Sequence, residues 1–489
     1  MGRIFCQFVF FSGERLAMTL AKQAARGVSW TAMATLIRGG LQLLQLAVMA
    51  RFLTAAELGA LALVSIVVGL AQIFTDAGLA NALIYFKSLS ARRLRQLYLA
   101  NMLFGLTMTA LVALMAHPLA NFFNAPTLAP LLLLLSPIFF IRSIGQQPNA
   151  LLQKDLQFQT LARNEVLAAL FAFGLLLIGL WQAMGVFALV ISQLCSALLF
   201  TLLLRRAKPC PWPNQLSIGW QDNQPLFRYG LYQAGESLIN YLSAQFDQLL
   251  LGKMLGTEVL GVYAYIKELV AKPALQLISP IVHRVSFPMM AKHQASHQLS
   301  SMYLTIMRCL SLVTVPFYLT IALYPQWILS VVLGSGWLAH ADLLRWLALY
   351  MLLITLINPV GALLRATGQV KRAFWWNALV TVVRPMVVVV SVHYGLEWLA
   401  KGLLLQQILL LIAHGFVLLK PACQLSLTAY LRTLLLPVFA LTFAYSVAHW
   451  GTALLGLSML WLEIALLCVV YLLIIAPQLK ALYLEIQRG

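Results

Sequence analysis

The chain has 489 residues, 62% of them hydrophobic and only 10% charged, with 33 Lys and Arg against 14 Asp and Glu for a formal net charge of +19. A soluble chain of this size carries about 25% charged residues, so this one is excluded from that class. Apolar runs of about 20 residues recur along its whole length, as a helical crossing of the hydrocarbon core requires.

Fourteen spans are predicted in chain order. The first six start near Val28, Gly59, Gln96, Leu128, Leu161 and Gly185, and the next six near Phe227, Val259, Tyr303, Ala341, Phe374 and Trp398. A last pair starts near Leu431 and Leu457. The fold expected is an all-α integral membrane protein: two parallel six-helix repeats forming facing bundles, plus a C-terminal helix pair. The segments are a cytoplasmic N-terminus over 1–27, a first bundle over 28–204, a cytoplasmic linker over 205–226, a second bundle over 227–419, and the extra pair with a cytoplasmic tail over 420–489. "IFCQFVFF" near the start is too short for a span. Two readings of it stand side by side: Met18 as the functional start, with the first 17 residues not native, or a short surface anchor.

The basic excess does not read as a nucleic-acid surface. Most of the Lys and Arg fall in alternate connections, as in Lys87/Arg92/Arg93/Arg95, Arg205/Arg206/Lys208, Arg284/Lys292 and Arg365/Lys371/Arg372. The intervening connections carry almost none apart from Arg51, Lys253 and Lys401. That asymmetry sets topology by the positive-inside rule and puts both termini on the cytoplasmic side. Anionic lipid head groups reinforce it.

An internal repeat is visible. "ARFLTAAELGALAL" from Ala50 aligns with "GKMLGTEVLGVYAY" from Gly252, pairing Arg51 with Lys253, Leu53 with Leu255, and Leu58-Gly59 with Leu260-Gly261. "NALLQ" at 149–153 likewise matches "GALLR" at 361–365. Six spans per half is an even number, so both halves insert in the same direction, the parallel kind of transporter repeat.

The charges inside the spans are the candidate site. An arginine at mid-bilayer costs roughly 2.5–3.5 kcal/mol on insertion scales and marks a functional position. Arg38 lies near the middle of the first span, with Gln42 and Gln45 on the same side by helical spacing. Its neighbours Gly39 and Gly40 are expected to permit close helix packing. In the first half only Asp76 is offered to Arg38 as a partner, so its guanidinium is expected to face a water-filled cavity. There it would hold a phosphate with a two-pronged fork that lysine cannot match. Arg142, Arg384, Lys267 and Lys272 complete the cationic set. Glu268 precedes Lys272 by four residues, the favourable orientation for an ion pair. By depth, Glu236 is within reach of Lys272 and Asp247 of Lys267. Asp76, Glu236, Asp247 and Glu268 are therefore ion-pair or ion-coupling candidates.

Other groups carry less. His293 and His297 stand four apart in a polar connection with no third ligand, and no metal site is expected. Glu463, away from the repeat, reads as a packing residue. There is no Ser-His-Asp arrangement, Gly-rich phosphate loop or paired carboxylate in a soluble loop, so neither a cofactor nor covalent catalysis is expected.

"ARFLTAAELGALALVSIVVGLAQIFTDAGLANALI", "ALLQKDLQF", "LFRYGLYQAGESLINYLSAQFDQLLLGKMLGTEVLGVYAYIKELV" and "ALLRATGQVKRAFWWN" resemble landmarks of bacterial polysaccharide and O-antigen flippases. These belong to the multidrug/oligosaccharidyl-lipid/polysaccharide exporter superfamily, and the branch resembled includes the colanic-acid exporter. The resemblance runs from about Lys22 to Lys420. It implies a flippase moving undecaprenyl-pyrophosphate-linked oligosaccharide repeat units across the bacterial inner membrane, for exopolysaccharide, capsule or O-antigen synthesis. Similar lipid-II flippases line a cationic cleft with first-span arginines, a place comparable to that of Arg38. Asp76 matches the family's Asp-x-Gly after the second helix, as a turn residue. The partners implied are the lipid-linked oligosaccharide, membrane lipids, polysaccharide polymerase and chain-length machinery, and a coupling ion, sodium or proton. The alternative is a multidrug cation antiporter of the same superfamily, whose cavity should be acidic. A membrane-embedded polymerase or ligase would need a large outer loop that this chain lacks.

Overall fold

A computed structural model describes residues 30–76, 90–210, 212, 220–278, 290, 299–454 and 460–488. The readings made of the first 27 residues, of Lys87, Arg284 and Lys292, and of His293 and His297 lie outside them. The described residues form helices joined by short turns, and no strand occurs among them.

The first compact unit runs to Val262. It holds α1 (Trp30–Phe52), α2 (Ala55–Asp76), α3 (Ala91–Phe122), α4 (Leu128–Lys154), α5 (Phe158–Trp181), α6 (Val186–Ala207), α7 (Trp220–Met254) and the start of α8 (Gly256–Lys272). The second unit holds the rest of α8, then α9 (Leu299–Leu323), α10 (Ser335–Ala366), α11 (Val370–Val392), α12 (Leu396–Cys423), α13 (Leu427–Leu454) and α14 (Leu460–Arg488).

Among the described residues, twelve helices are long and apolar enough to cross a membrane, and the chain is a multi-pass membrane protein. The two that fall short are α7 and α8, at the places of the expected seventh and eighth spans. α7 is rich in polar groups, and α8 has only 17 residues before a π-helical turn at Pro273–Ile278. α7 also begins at Trp220, inside the segment read as a linker. Several other helices start three to five residues earlier than expected. The polar first turns, such as Arg92, Arg93 and Arg95 of α3, satisfy their backbone helically while their long side chains stay in the interface.

Within the first unit, small residues let helices approach closely. A Cβ on Gly105 of α3 would stand 2.4 Å from Ser143 Oγ of α4, and one on Gly179 of α5 would stand 2.7 Å from Ala188 Cβ of α6. Hydroxyls then tie the helices through backbone carbonyls: Thr201 Oγ1 donates to Ile141 O (3.1 Å) and Ser196 Oγ to Ala168 O (3.0 Å). α2 opens with a capping box, in which Thr54 N donates to Glu57 Oε2 (2.8 Å) and Glu57 N to Thr54 Oγ1 (3.3 Å), satisfying two orphan amides.

The repeat-related glycines meet. A Cβ on Gly59 would lie 1.7 Å from Thr257 O, and one on Gly261 would lie 1.9 Å from Ala55 O. Thr257 is the repeat equivalent of Ala55, so each glycine faces the carbonyl that corresponds to the other's. The segments at the two helix starts therefore cross reciprocally, backbone on backbone. By contrast Gly40 has open space where packing was expected, with nothing within 4 Å of an added Cβ.

In the second unit, Ala440, Ala444 and Ala448 of α13 give a four-spaced small stripe in one core cluster with Leu312 of α9 and Leu467 of α14, the pattern that lets membrane helices pack. Tyr471 Oη of α14 donates to Leu312 O (2.9 Å), and Ser311 Oγ of α9 to Thr433 O of α13 (3.1 Å). The C-terminal pair is thus fastened to α9.

Candidate functional site

The first unit encloses a cavity of about 430 Å³ bounded by α1, α2, α4, α5 and α6. Its charged and amide groups include Arg38, Gln42, Gln72, Arg142, Glu165 and Gln193, set among alanines of α5. Arg38 stands eight residues into α1 and Glu165 seven into α5, about 10–12 Å along each axis. Arg142 stands twelve residues before the end of α4, about 18 Å. The lining also reaches Asn149 and Leu204, near the ends of α4 and α6 that carry Lys154, Arg205 and Arg206. The cavity therefore runs from the basic end of the unit toward mid-depth.

Arg38 has a partner there that was not matched to it from sequence. Its Nη1 lies 3.1 Å from Glu165 Oε2, both side chains partly exposed, and its Nε is buried with no hydrogen-bond partner. The expectation of an unpaired guanidinium is corrected: the carboxylate comes from the start of the fifth span, at matching depth. The pair lines the cavity, and both side chains are partly exposed. Arg142 Nη1 donates to Gln72 Oε1 at 2.7 Å. The lining thus sets two permanent positive charges against one carboxylate, with neutral amides between them.

The other predicted residues distribute as follows. Gln42 lines the cavity. Gln45, two turns beyond Arg38, instead bonds Met49 Sδ at 3.9 Å, because seven residues carry it about 10 Å further along the axis. Asp247 is buried in the first unit, its Oδ1 accepting from Gln248 N at 2.9 Å. The side chains of Asp76 and Glu236 lie outside the described residues. Lys267, Lys272, Glu268 and Arg384 belong to the second unit. There Lys272 Nζ pairs with Glu268 Oε2 at 2.7 Å, while buried Lys267 has its Nζ 5.6 Å from the Tyr263 ring centroid. Arg384 is half-buried midway along α11.

Glu463, expected to pack, is also bonded to two other side chains. Its Oε1 accepts from Tyr324 Oη (3.0 Å) and contacts His449 Nδ1 (3.2 Å).

At the basic end of the first unit, Arg205 Nη1 donates to Tyr98 Oη (2.6 Å) and its guanidinium lies 3.9 Å over the Trp212 ring. Lys208 pairs with Asp155 at 2.6 Å. Beside them Cys210 is buried, and burial pushes its thiol pKa up against the pull of Arg205 and Lys208.

Residues 48–342 match the family described as "Polysaccharide biosynthesis protein". The chain is 29% identical over 89% of its length to the teichuronic acid biosynthesis protein TuaB of Bacillus subtilis, covering 90% of that protein. It is also 29% identical to the lipopolysaccharide biosynthesis protein WzxC of Escherichia coli, over 86% of each chain. Among solved structures, the lipid II flippase MurJ in an inward closed conformation matches 93% of this chain and 99% of its own, with a TM-score of 0.75 at 14% identity. That likeness is one of fold.

Proposed function

From the premise that this chain belongs to the polysaccharide biosynthesis protein family, we propose that it is a flippase of the bacterial cytoplasmic membrane. It moves lipid-linked oligosaccharide repeat units, carried on undecaprenyl pyrophosphate, toward the outer leaflet for cell-surface polysaccharide synthesis. The observation that carries the reading is the cavity of Arg38 and Arg142, positive by one charge and reached from the basic end of the first unit.

By the positive-inside rule that end is cytoplasmic, with both termini on the same side. A diphosphate entering there exchanges its water for fixed donors: the Arg142 guanidinium, the Arg38 guanidinium and the amides of Gln42, Gln72 and Gln193. Glu165 holds Arg38 in position while the site is empty and is displaced toward the α5 wall as a phosphate oxygen takes its place. Each charge-assisted hydrogen bond is worth about 1.5–3 kcal/mol. The sugars follow the head group and the prenyl tail stays in lipid. Rocking of the two repeats then opens the path outward, with Asp76, Glu236, Asp247 or Glu268 available to a sodium or proton gradient.

The lining disfavours the cation-antiporter reading, since a cavity with a net positive charge repels a cationic drug. The test is complementation of a strain lacking its own exporter. Arg38→Ala and Arg142→Ala should each reach the membrane in normal amount, yet abolish surface polymer and accumulate lipid-linked repeat units. Normal polymer from both variants would refute the assignment.

A further inference from the structure

A second cavity, of about 410 Å³, lies within the second unit at the end of α10 and α12 opposite the Arg365/Lys371/Arg372 connection. It is lined by His340, Tyr394, Gly395, Glu397 and Trp398, together with the apolar side chains between them. We propose that it is a saccharide-binding site on the outer face, which takes pyranose rings of the chain's substrate as they leave. The identity of the sugar rests on the transport reading above; the binding does not.

The chemistry of the lining is two-sided. Tyr394 and Trp398 are 70% and 59% exposed, presenting flat rings whose negative faces attract the polarised C–H groups on one side of a sugar ring. Glu397 and His340 place a carboxylate and an imidazole beside those rings, suited to the hydroxyls at the sugar's edge. The volume falls in the range of about 300–1,000 Å³ typical of small-ligand pockets.

The site is also held in shape. Lys401 Nζ lies 5.0 Å from the Trp398 ring centroid and 5.5 Å from that of Trp346, so one cation clamps two indoles. The same Nζ lies 3.6 Å from Glu397 Oε2, anchoring the carboxylate at a fixed height beside the ring. Gly395, with φ at +97°, makes the reversal from α11 into α12, a conformation that L side chains rarely adopt. That turn brings Tyr394 and Trp398 to one cavity. Lys401 is one of the few basic residues on the side where positive charge is otherwise absent, and the clamp accounts for it. An interfacial aromatic belt explains exposed Trp and Tyr, but it requires neither a concave wall nor a carboxylate between them.

The experiment is saturation-transfer-difference NMR on the full chain in lipid nanodiscs, with methyl β-glucoside and methyl β-galactoside as probes. Saturation should pass from protein to the ring protons of at least one glycoside. It should be lost in Tyr394→Ala and Trp398→Leu, both exposed and therefore expected to fold, and it should persist in Arg38→Ala. Absence of transfer to both glycosides in the unaltered chain would overturn the site. So would equal transfer in Tyr394→Ala and Trp398→Leu, the result that a mere membrane belt gives. Either failure leaves the polymer defect of Arg38→Ala untouched, and normal polymer in Arg38→Ala leaves the glycoside signal untouched.

Discussion

Replacing Gly59 by alanine should loosen the fold at the crossing of the two repeats. The added Cβ would sit 1.7 Å from the carbonyl oxygen of Thr257, where ordinary contact begins at 3.4 Å. A backbone carbonyl inside a helix cannot swing aside as a side-chain tip can, so the two helix starts must part by about 1.7 Å or bend. Overpacking of this kind costs about 1–3 kcal/mol, and the rigid neighbour puts Gly59→Ala at the upper end. With about 2–4 °C per kcal/mol for domains of ordinary size, the melting temperature of the detergent-purified protein should fall by about 6 °C or more. It is read by heating aliquots and following the monodisperse peak on size exclusion. Gly174→Ala is the control: its Cβ meets nothing within 4 Å, and removal of a helix-interior glycine should leave the melting temperature unchanged or higher. Gly261→Ala should match Gly59→Ala, since its Cβ meets Ala55 O at 1.9 Å. The double variant should lose less than the sum, because helices already parted by one methyl accept the second. If Gly59→Ala melts with Gly174→Ala, the reciprocal crossing is refuted.

Three further outcomes are expected. Glu165→Gln removes the carboxylate that offsets Arg38, so binding of inorganic pyrophosphate to the purified protein should tighten about tenfold, at 1.4 kcal/mol per decade; unchanged affinity measured by calorimetry counts against the cavity as the anion site. Tyr318→Phe deletes the buried bond to Val270 O at 2.8 Å and should cost about 1 kcal/mol, read by the same melting assay. In a variant whose only cysteine is Cys210, the raised thiol pKa leaves little thiolate at pH 8. Maleimide labelling should therefore be slow there and rise as pH increases.

Helix positions were legible because hydrophobic length is a local property of sequence. So was the Glu268–Lys272 pair, which depends only on spacing along one helix. Arg38 was legible as an outlier, a charge in an apolar run. Its partner was not, because Glu165 sits on another helix at the same depth, and nothing in the sequence states which helices are neighbours. The same limit hid the meeting of Gly59 with Gly261: the repeat could be aligned, but alignment does not say that equivalent segments touch. It also hid the Lys401 clamp between Trp346 and Trp398, residues 55 and 3 positions away from it. Where chemistry is assembled across helices, only the packed chain reveals it.

Entry of an anionic head group into the first unit's cavity is the step on which the transport reading rests. It is tested most directly by native mass spectrometry of the purified protein with undecaprenyl pyrophosphate carrying a repeat unit, comparing the unaltered chain with Arg38→Gln and Arg142→Gln. Loss of one or two charge-assisted bonds, at about 1.5–3 kcal/mol each, should weaken binding at least tenfold in both variants. Equal occupancy of the unaltered chain and both variants would contradict it.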